Sequence, residues 1–149
     1  MKVRIKKLRE DAIVPTYAKP GDAGMDLTAI SVTMDDMDNI VYGTGLAFEI
    51  PKGFVGLIFP RSSNSKKDLY LTNHVGVLDS GYRGEVGLKF RETTRREEDV
   101  AGGYTSHIYS VGDRIAQLMI IPHPEVEFEE VEELESSERG KGGWGSTGS

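Results

Sequence analysis

Apolar residues in this chain recur at every second position in short runs, and glycine, proline or a polar cluster closes each run off. No long segment carries the 3.6-residue period of an amphipathic helix, and no internal repeat is present. The pattern therefore implies an all-β chain, with many short antiparallel strands forming a sandwich or barrel. Val3 and Ile5 alternate with Lys2, Arg4 and Lys6, as in a half-buried strand. Residues 25–30 extend again after the proline- and glycine-broken stretch 15–24, and Leu46, Phe48 and Ile50 alternate up to a turn at Pro51-Lys52-Gly53. Residues 54–59 are apolar on both faces, which suits a buried strand. Val86, Leu88 and Phe90 mark another strand, residues 115–121 one ended by Pro122, and Val126, Phe128 and Val131 a last, partly buried one. Residues 35–39 read as a polar loop and 91–104 as an exposed hairpin tip or loop. One short helix is predicted, at 62–67, where serine can cap the first-turn amides.

At 149 residues the chain fits one domain, yet it is short for an enzyme that must also enclose a substrate, and a site shared between subunits would answer that. With 18 basic and 24 acidic residues the net charge is −6, which argues against a nucleic-acid binder that lives on phosphate neutralisation. The absence of cysteine excludes disulfides, thiolate metal sites and thiol redox chemistry. His74, His107 and His123 are scattered without metal-ligand spacing, so any metal should arrive with the substrate. No apolar run is long enough to span a bilayer and no signal-peptide pattern follows Met1, so a soluble protein of the cytoplasm or another intracellular compartment, with no membrane partner, is expected.

Gly76-Val77-Leu78-Asp79-Ser80-Gly81-Tyr82-Arg83-Gly84-Glu85 sets a carboxylate and an aromatic ring three positions apart between glycines. Gly76 and Gly81 would permit backbone angles closed to other residues, so that a tight hairpin could press main-chain groups against a flat ligand beside Asp79 and Tyr82. Asp-Ser-Gly also suits a plain turn. Arg61-Ser62-Ser63, at the end of a buried strand, offers a guanidinium, hydroxyls and amides to an anion such as a phosphate, though the composition is equally that of an ordinary loop. Arg139 to Ser149 is glycine-rich and unable to pack a core, and its Arg139, Lys141, Trp144, Ser146 and Thr147 suit closure over a nucleoside triphosphate better than a plain linker. It is not a GxxxxGK[ST] phosphate loop, because no lysine precedes Ser146-Thr147. Asp113 and Arg114 suit either a structural ion pair or a subunit contact, and Gln117 is the likelier ligand of that stretch on chemistry.

In order, Ala23-Gly24-Met25-Asp26-Leu27, Pro60-Arg61-Ser62-Ser63, the Gly76 to Gly84 stretch, Gly112-Asp113-Arg114-Ile115-Ala116-Gln117-Leu118 and the Arg139 to Gly148 tail resemble the five motifs of the trimeric dUTP pyrophosphatases. The resemblance implies a jelly-roll-like β-domain over 1–138, a dUTPase-like β-clip, with 139–149 as a mobile tail closing a neighbour's site in a homotrimer. It implies hydrolysis of dUTP to dUMP and pyrophosphate by water attack on the α-phosphate, assisted by Mg2+ held mainly by substrate phosphates and water. Such an activity limits uracil in DNA and supplies dUMP for dTMP synthesis. By the same resemblance Asp79 activates the water, and Tyr82 packs on the deoxyribose where a 2′-OH would not fit. Arg61, Ser62, Ser63 and Gln117 lie near the phosphates, while Asn73, Gly76 and Val77 belong to a hairpin that reads uracil. Arg139 meets the γ-phosphate, and Gly143, Trp144, Gly145, Ser146 and Thr147 complete the closing tail with Trp144 over the base. Asp26, Asp113 and Arg114 are scaffolding and subunit contacts.

This chain departs from the family pattern in Trp144, where Phe is common, in Gly81, where an acid often stands, and in the length of 91–108. That added segment leaves room for a regulatory partner, and a nucleotide-gated binding protein is the alternative of a different class. The dCTP deaminases share an Arg-Ser-Ser and an Asp-x-Gly with a following aromatic, but the C-terminal tail belongs to the pyrophosphatase pattern.

Overall fold

A computed structural model describes residues 1–93, 97–98, 104–105 and 107–143. In chain order the strands are β1 (Arg4–Lys7), β2 (Met25–Thr28), β3 (Ser31–Met34), β4 (Ile40–Gly43), β5 (Leu46–Glu49), β6 (Phe54–Pro60), β7 (Leu69–Leu71), β8 (Gly76–Leu78), β9 (Gly87–Glu92), β10 (Glu97–Glu98), β11 (Tyr104–Thr105) and β12 (Arg114–Pro122). A 3-10 turn over Ser62–Lys66 is the one helical piece among the described residues. Every strand pairing is antiparallel. One four-stranded sheet runs β2-β12-β6-β8 and the other β3-β4-β9-β7, with β1-β5 and β10-β11 as two-stranded ribbons. The expected all-β, jelly-roll-like architecture is therefore the one found.

The core draws on both large sheets, as period-2 alternation requires. Leu27, Ile58, Leu78, Ile115 and Leu118 come from the first sheet and Ile40, Tyr42, Leu69, Leu71, Leu88 and Phe90 from the second. Tyr42, Phe90 and Tyr109 meet edge to face with centroids 5.6–6.1 Å apart. Burial pushes the Tyr42 phenol up to about 12, and the hydroxyl donates to the Tyr109 carbonyl at 2.9 Å. Burial raises the Tyr109 phenol too.

Several expectations need correction. The polar loop expected at 35–39 is present as a turn, but the two strands it joins, β3 and β4, are not anticipated by the sequence reading. Lys89 and Asn39 hold the Asp35 carboxyl far below the usual carboxylate range in that turn. No strand forms over 126–131, where Val126 and Phe128 are 62% and 93% exposed, because no surface among the described residues packs against them. The 3-10 turn begins after Arg61 with no side-chain cap, so serine does not cap it. Within 91–108, β10 and β11 pair as the ends of a hairpin, and 94–96, 99–103 and 106 lie outside the described residues. The root of this segment is fixed: the Asp68 amide donates to the His107 carbonyl, the Thr93 amide to the Asp68 carbonyl, and Lys67 Nζ to the Ile108 carbonyl.

Candidate active site

Two groups of polar residues occupy opposite ends of β6. At its C-terminal end Arg61 leaves the strand and donates from Nε to Asp26 Oδ1 at 2.7 Å. Arg114 Nη1 donates to the other oxygen, Oδ2, at 2.9 Å, so one carboxylate on β2 holds two guanidinium groups. Arg61 Nη1 reaches Ser63 Oγ at 3.2 Å and the Arg114 carbonyl at 3.3 Å. Gln117 stands opposite Asp26 on one side and Phe59 on the other, and its Nε2 donates to the Pro60 carbonyl at 3.1 Å. Asp26, Arg61, Ser63 and Arg114 thus form one network, with Gln117 beside it on β12. Ser62 is exposed beside it. Of the two readings open for Asp113 and Arg114, an ion pair with each other does not form: Arg114 takes Asp26, while the Asp113 carboxylate accepts from the Ser110 amide at 2.8 Å and lies 3.9 Å from Lys67 Nζ.

The second group follows β8. Leu78 pairs with Gly56, so Asp79 emerges at the Phe54 end of β6. It is separated from Arg61 by the seven-residue strand, about 20 Å at roughly 3.3 Å per residue. Asp79 is exposed, and its carbonyl accepts from the Tyr82 amide at 3.1 Å in a tight turn. Tyr82 is 46% exposed and its hydroxyl donates to the Glu85 carbonyl at 2.9 Å. The ring lies against Gly84, where an added Cβ would stand 2.6 Å from Tyr82 Cζ, so a side chain there would displace the ring. Arg83 Nη1 donates to the Ser80 and Tyr82 carbonyls at 2.7 and 2.8 Å.

Neither Gly76 nor Gly81 adopts the left-handed backbone expected of it; His74 does, with φ 59°. The strands flanking Asn73 and His74 are not a paired hairpin either, since β7 bonds to β9 and β8 to β6, and the turn carries the chain from one sheet to the other. Beside that turn lies a cavity of about 330 Å³ lined by Ile58, Leu71, Thr72, Asn73, Gly76 and Lys89 among others. Val77 points outward, 63% exposed. A larger cavity of about 780 Å³, under the root of 91–108, is walled by Val32, Met34, Met37, Arg91 and Ile108 among others and holds none of the expected site residues.

Arg139 Nε donates to the Gly142 carbonyl at 3.0 Å, within its own turn, and Gly143 is exposed. Trp144, Gly145, Ser146 and Thr147 lie outside the described residues. Among the described residues no three acidic or histidine side chains are grouped to hold a metal. No helix among the described residues is long and apolar enough to cross a membrane. The residues that sequence reasoning misses are Asn64, whose Oδ1 accepts from Tyr109, and Glu85, whose only local signal is a carboxylate just before an alternating apolar run.

The family model for dUTPase matches residues 10–148. The deoxyuridine 5′-triphosphate nucleotidohydrolase of Hydrogenobaculum sp. (strain Y04AAS1) is 38% identical over 99% of each chain. The solved dUTPase of Staphylococcus bacteriophage 80alpha, with dUPNHPP, aligns at a TM-score of 0.79 with 31% identity over 99% of each chain. A point mutant of the dUTPase from phage phi11 of S. aureus, described for its coordination of a structural Mg(II) ion, aligns at 0.71 with 27% identity, covering 89% of this chain and 98% of that one. With the family match running over nearly its whole length and an all-β fold shared with these enzymes, the chain belongs to the dUTPase family.

Proposed function

We propose that this dUTPase converts dUTP to dUMP and pyrophosphate at a site assembled between copies of the chain in a homotrimer. The Asp79–Tyr82 loop comes from one copy and the Arg61 network from another. The separation of these two groups by the length of β6 carries the reading, because a triphosphate cannot be held by one and attacked at the other within a single chain. The exposed apolar side chains of Phe128 and Leu134 give further reason for association.

In this reading Asp79 accepts a proton from the water that attacks the α-phosphorus, and the departing pyrophosphate carries away the bonding electron pair. Tyr82 packs on the deoxyribose and leaves no room for a 2′-OH. Asn73, Gly76 and Val77 form the wall that reads uracil, whose N3 and C4 groups have donor and acceptor senses opposite to those of cytosine. Arg61, Ser62, Ser63 and Gln117 hold phosphate oxygens. Arg139 takes the γ-phosphate, and Gly143, Trp144, Gly145, Ser146 and Thr147 close over a neighbouring site with Trp144 stacked on the base. Asp26, Asp113 and Arg114 position this machinery. When bound with the triphosphate, held mainly by its oxygens and water, Mg2+ would supply charge neutralisation to the phosphates that Arg61, Ser62, Ser63 and Gln117 hold.

The test is an assay of dUTP, dCTP and UTP with Mg2+ in which pyrophosphate and ammonia are both measured. Pyrophosphate from dUTP, with dCTP and UTP nearly untouched, is the expected result. Ammonia from dCTP without pyrophosphate from dUTP would refute the reading.

A further inference from the structure

The loop that carries Asp79 and Tyr82 is fixed at its far end by a carboxylate. Glu85 Oε1 accepts from the Gly45 amide at 2.7 Å, reaching back across the sheet to the turn between β4 and β5. That turn is shaped to receive it. An added Cβ on Gly43 would stand 2.5 Å from Ser31 Oγ and 2.8 Å from Glu85 Oε1, so a side chain there would push the carboxylate from its seat. Gly45 adopts φ +65°, and an added Cβ there would stand 3.0 Å from Ala12 Cβ. Between them Thr44 is wholly buried; its hydroxyl donates to the Val86 carbonyl at 2.6 Å, and the Val86 amide donates to the Leu46 carbonyl at 2.8 Å. The residue after Glu85 is thus locked to the same turn by its main chain. Glu85 in turn presents the carbonyl that receives the Tyr82 hydroxyl, and the intervening Gly84 lets the ring lie flat on the chain.

We infer that Glu85 is a positioning residue for Tyr82: seated over Gly43 and bonded to Gly45, its carboxylate fixes the carbonyl that holds the tyrosine hydroxyl, and so the height and tilt of the ring. The inference rests on the reading of Tyr82 as the ring that excludes a 2′-OH. A phenol anchored at its hydroxyl is a rigid wall, whereas one anchored only at its Cα can swing aside and admit ribose. Glu85 therefore acts on sugar discrimination and touches no substrate atom.

The experiment compares kcat/KM for dUTP and UTP, with Mg2+, in the wild type, Glu85→Ala, Glu85→Gln, Tyr82→Phe and the Tyr82→Phe/Glu85→Ala double variant. Glu85→Ala should cut the preference for dUTP over UTP by about 10- to 100-fold, the scale expected of a misplaced contact. Glu85→Gln, whose amide oxygen still accepts from Gly45, should restore most of it. In Tyr82→Phe the hydroxyl is gone, so adding Glu85→Ala should change the preference no further. Intact preference in Glu85→Ala, or equal loss of both substrates with a lowered Tm, overturns the inference. A wild-type protein with no preference between the two sugars refutes the role of Tyr82 itself, and so separates failure of that reading from failure of the anchor.

Discussion

Asp26 serves two arginines at once, one carboxylate oxygen to each, in a position only about one-fifth exposed. Its removal would leave two guanidinium groups facing each other with no counter-charge, and a charged hydrogen-bond donor left without its partner is costly. Arg114 is more than half exposed, so solvent discounts its share, while Arg61 is mostly enclosed. Asp26→Ala should therefore lower stability by about 2 kcal/mol, most of it through Arg61. Asp26→Asn should recover little, because the amide nitrogen would face one of the arginines. Thermal unfolding at fixed protein concentration checks this, and an unchanged Tm in both variants would refute it. At this scale the sequence is readable in chemistry and blind in partnership. Asp113 and Arg114 are adjacent, which invites a pair, but Arg114 opens β12 and finds its anion on the neighbouring strand β2. The spacing of Asp79 and Tyr82 is legible because a single turn joins them.

Among the elements, β4 and β9 hold the centre of the second sheet, with Tyr42 and Phe90 wholly buried. The Tyr42 phenol ionises at about 12 in the fold against 10.0 for a free phenol, because burial disfavours the phenolate. A group whose folded value is raised contributes stability that is complete below its unfolded value and is lost as the pH climbs through the folded one. Stability should accordingly fall between about pH 10 and 12 more steeply in the wild type than in Tyr42→Phe, which has no proton to lose there. Near neutrality the order reverses, since Tyr42→Phe leaves the buried Tyr109 carbonyl without its donor at a cost of about 1 kcal/mol. Parallel alkaline Tm profiles for the two proteins would contradict the argument. A face in the core helps but does not suffice: Val86, Leu88 and Phe90, buried at every second position, are readable, whereas the short β4 and β7, with Ile40, Tyr42, Leu69 and Leu71 buried, are not. β3 shows that alternation alone does not mark a buried face: Val32 and Met34 alternate with Ser31 and Thr33, yet Val32, Thr33 and Met34 all lie exposed. The stretch 126–131 fails as a strand. Its apolar residues are real, but Val126, Phe128 and Val131 are all exposed and find no partner surface among the described residues.

In the whole molecule, what no local pattern could disclose is that β8 runs antiparallel to β6 in a register that sends Asp79 to the end away from Arg61. Strand register is set by long-range pairing, so residues that look like one site along the sequence are divided between two ends of a sheet. If a cyclic trimer brings the Asp79 loop of each copy to the Arg61 network of the next, each site needs an intact residue from two different chains. Two dead proteins should then make a live one. On the roles proposed for the two residues, Asp79→Asn and Arg61→Ala should each be nearly inactive alone. Co-refolded in equal amounts, they assort at random, and a site is whole only where an Arg61→Ala chain supplies Asp79 and an Asp79→Asn chain supplies Arg61. That combination has a probability of one half times one half, so about a quarter of wild-type dUTP hydrolysis should return. Recovery should require subunit exchange, with none seen when the preformed assemblies are mixed briefly in the cold. Co-refolded trimers that stay inactive would place both residues in one chain's site and refute the shared arrangement.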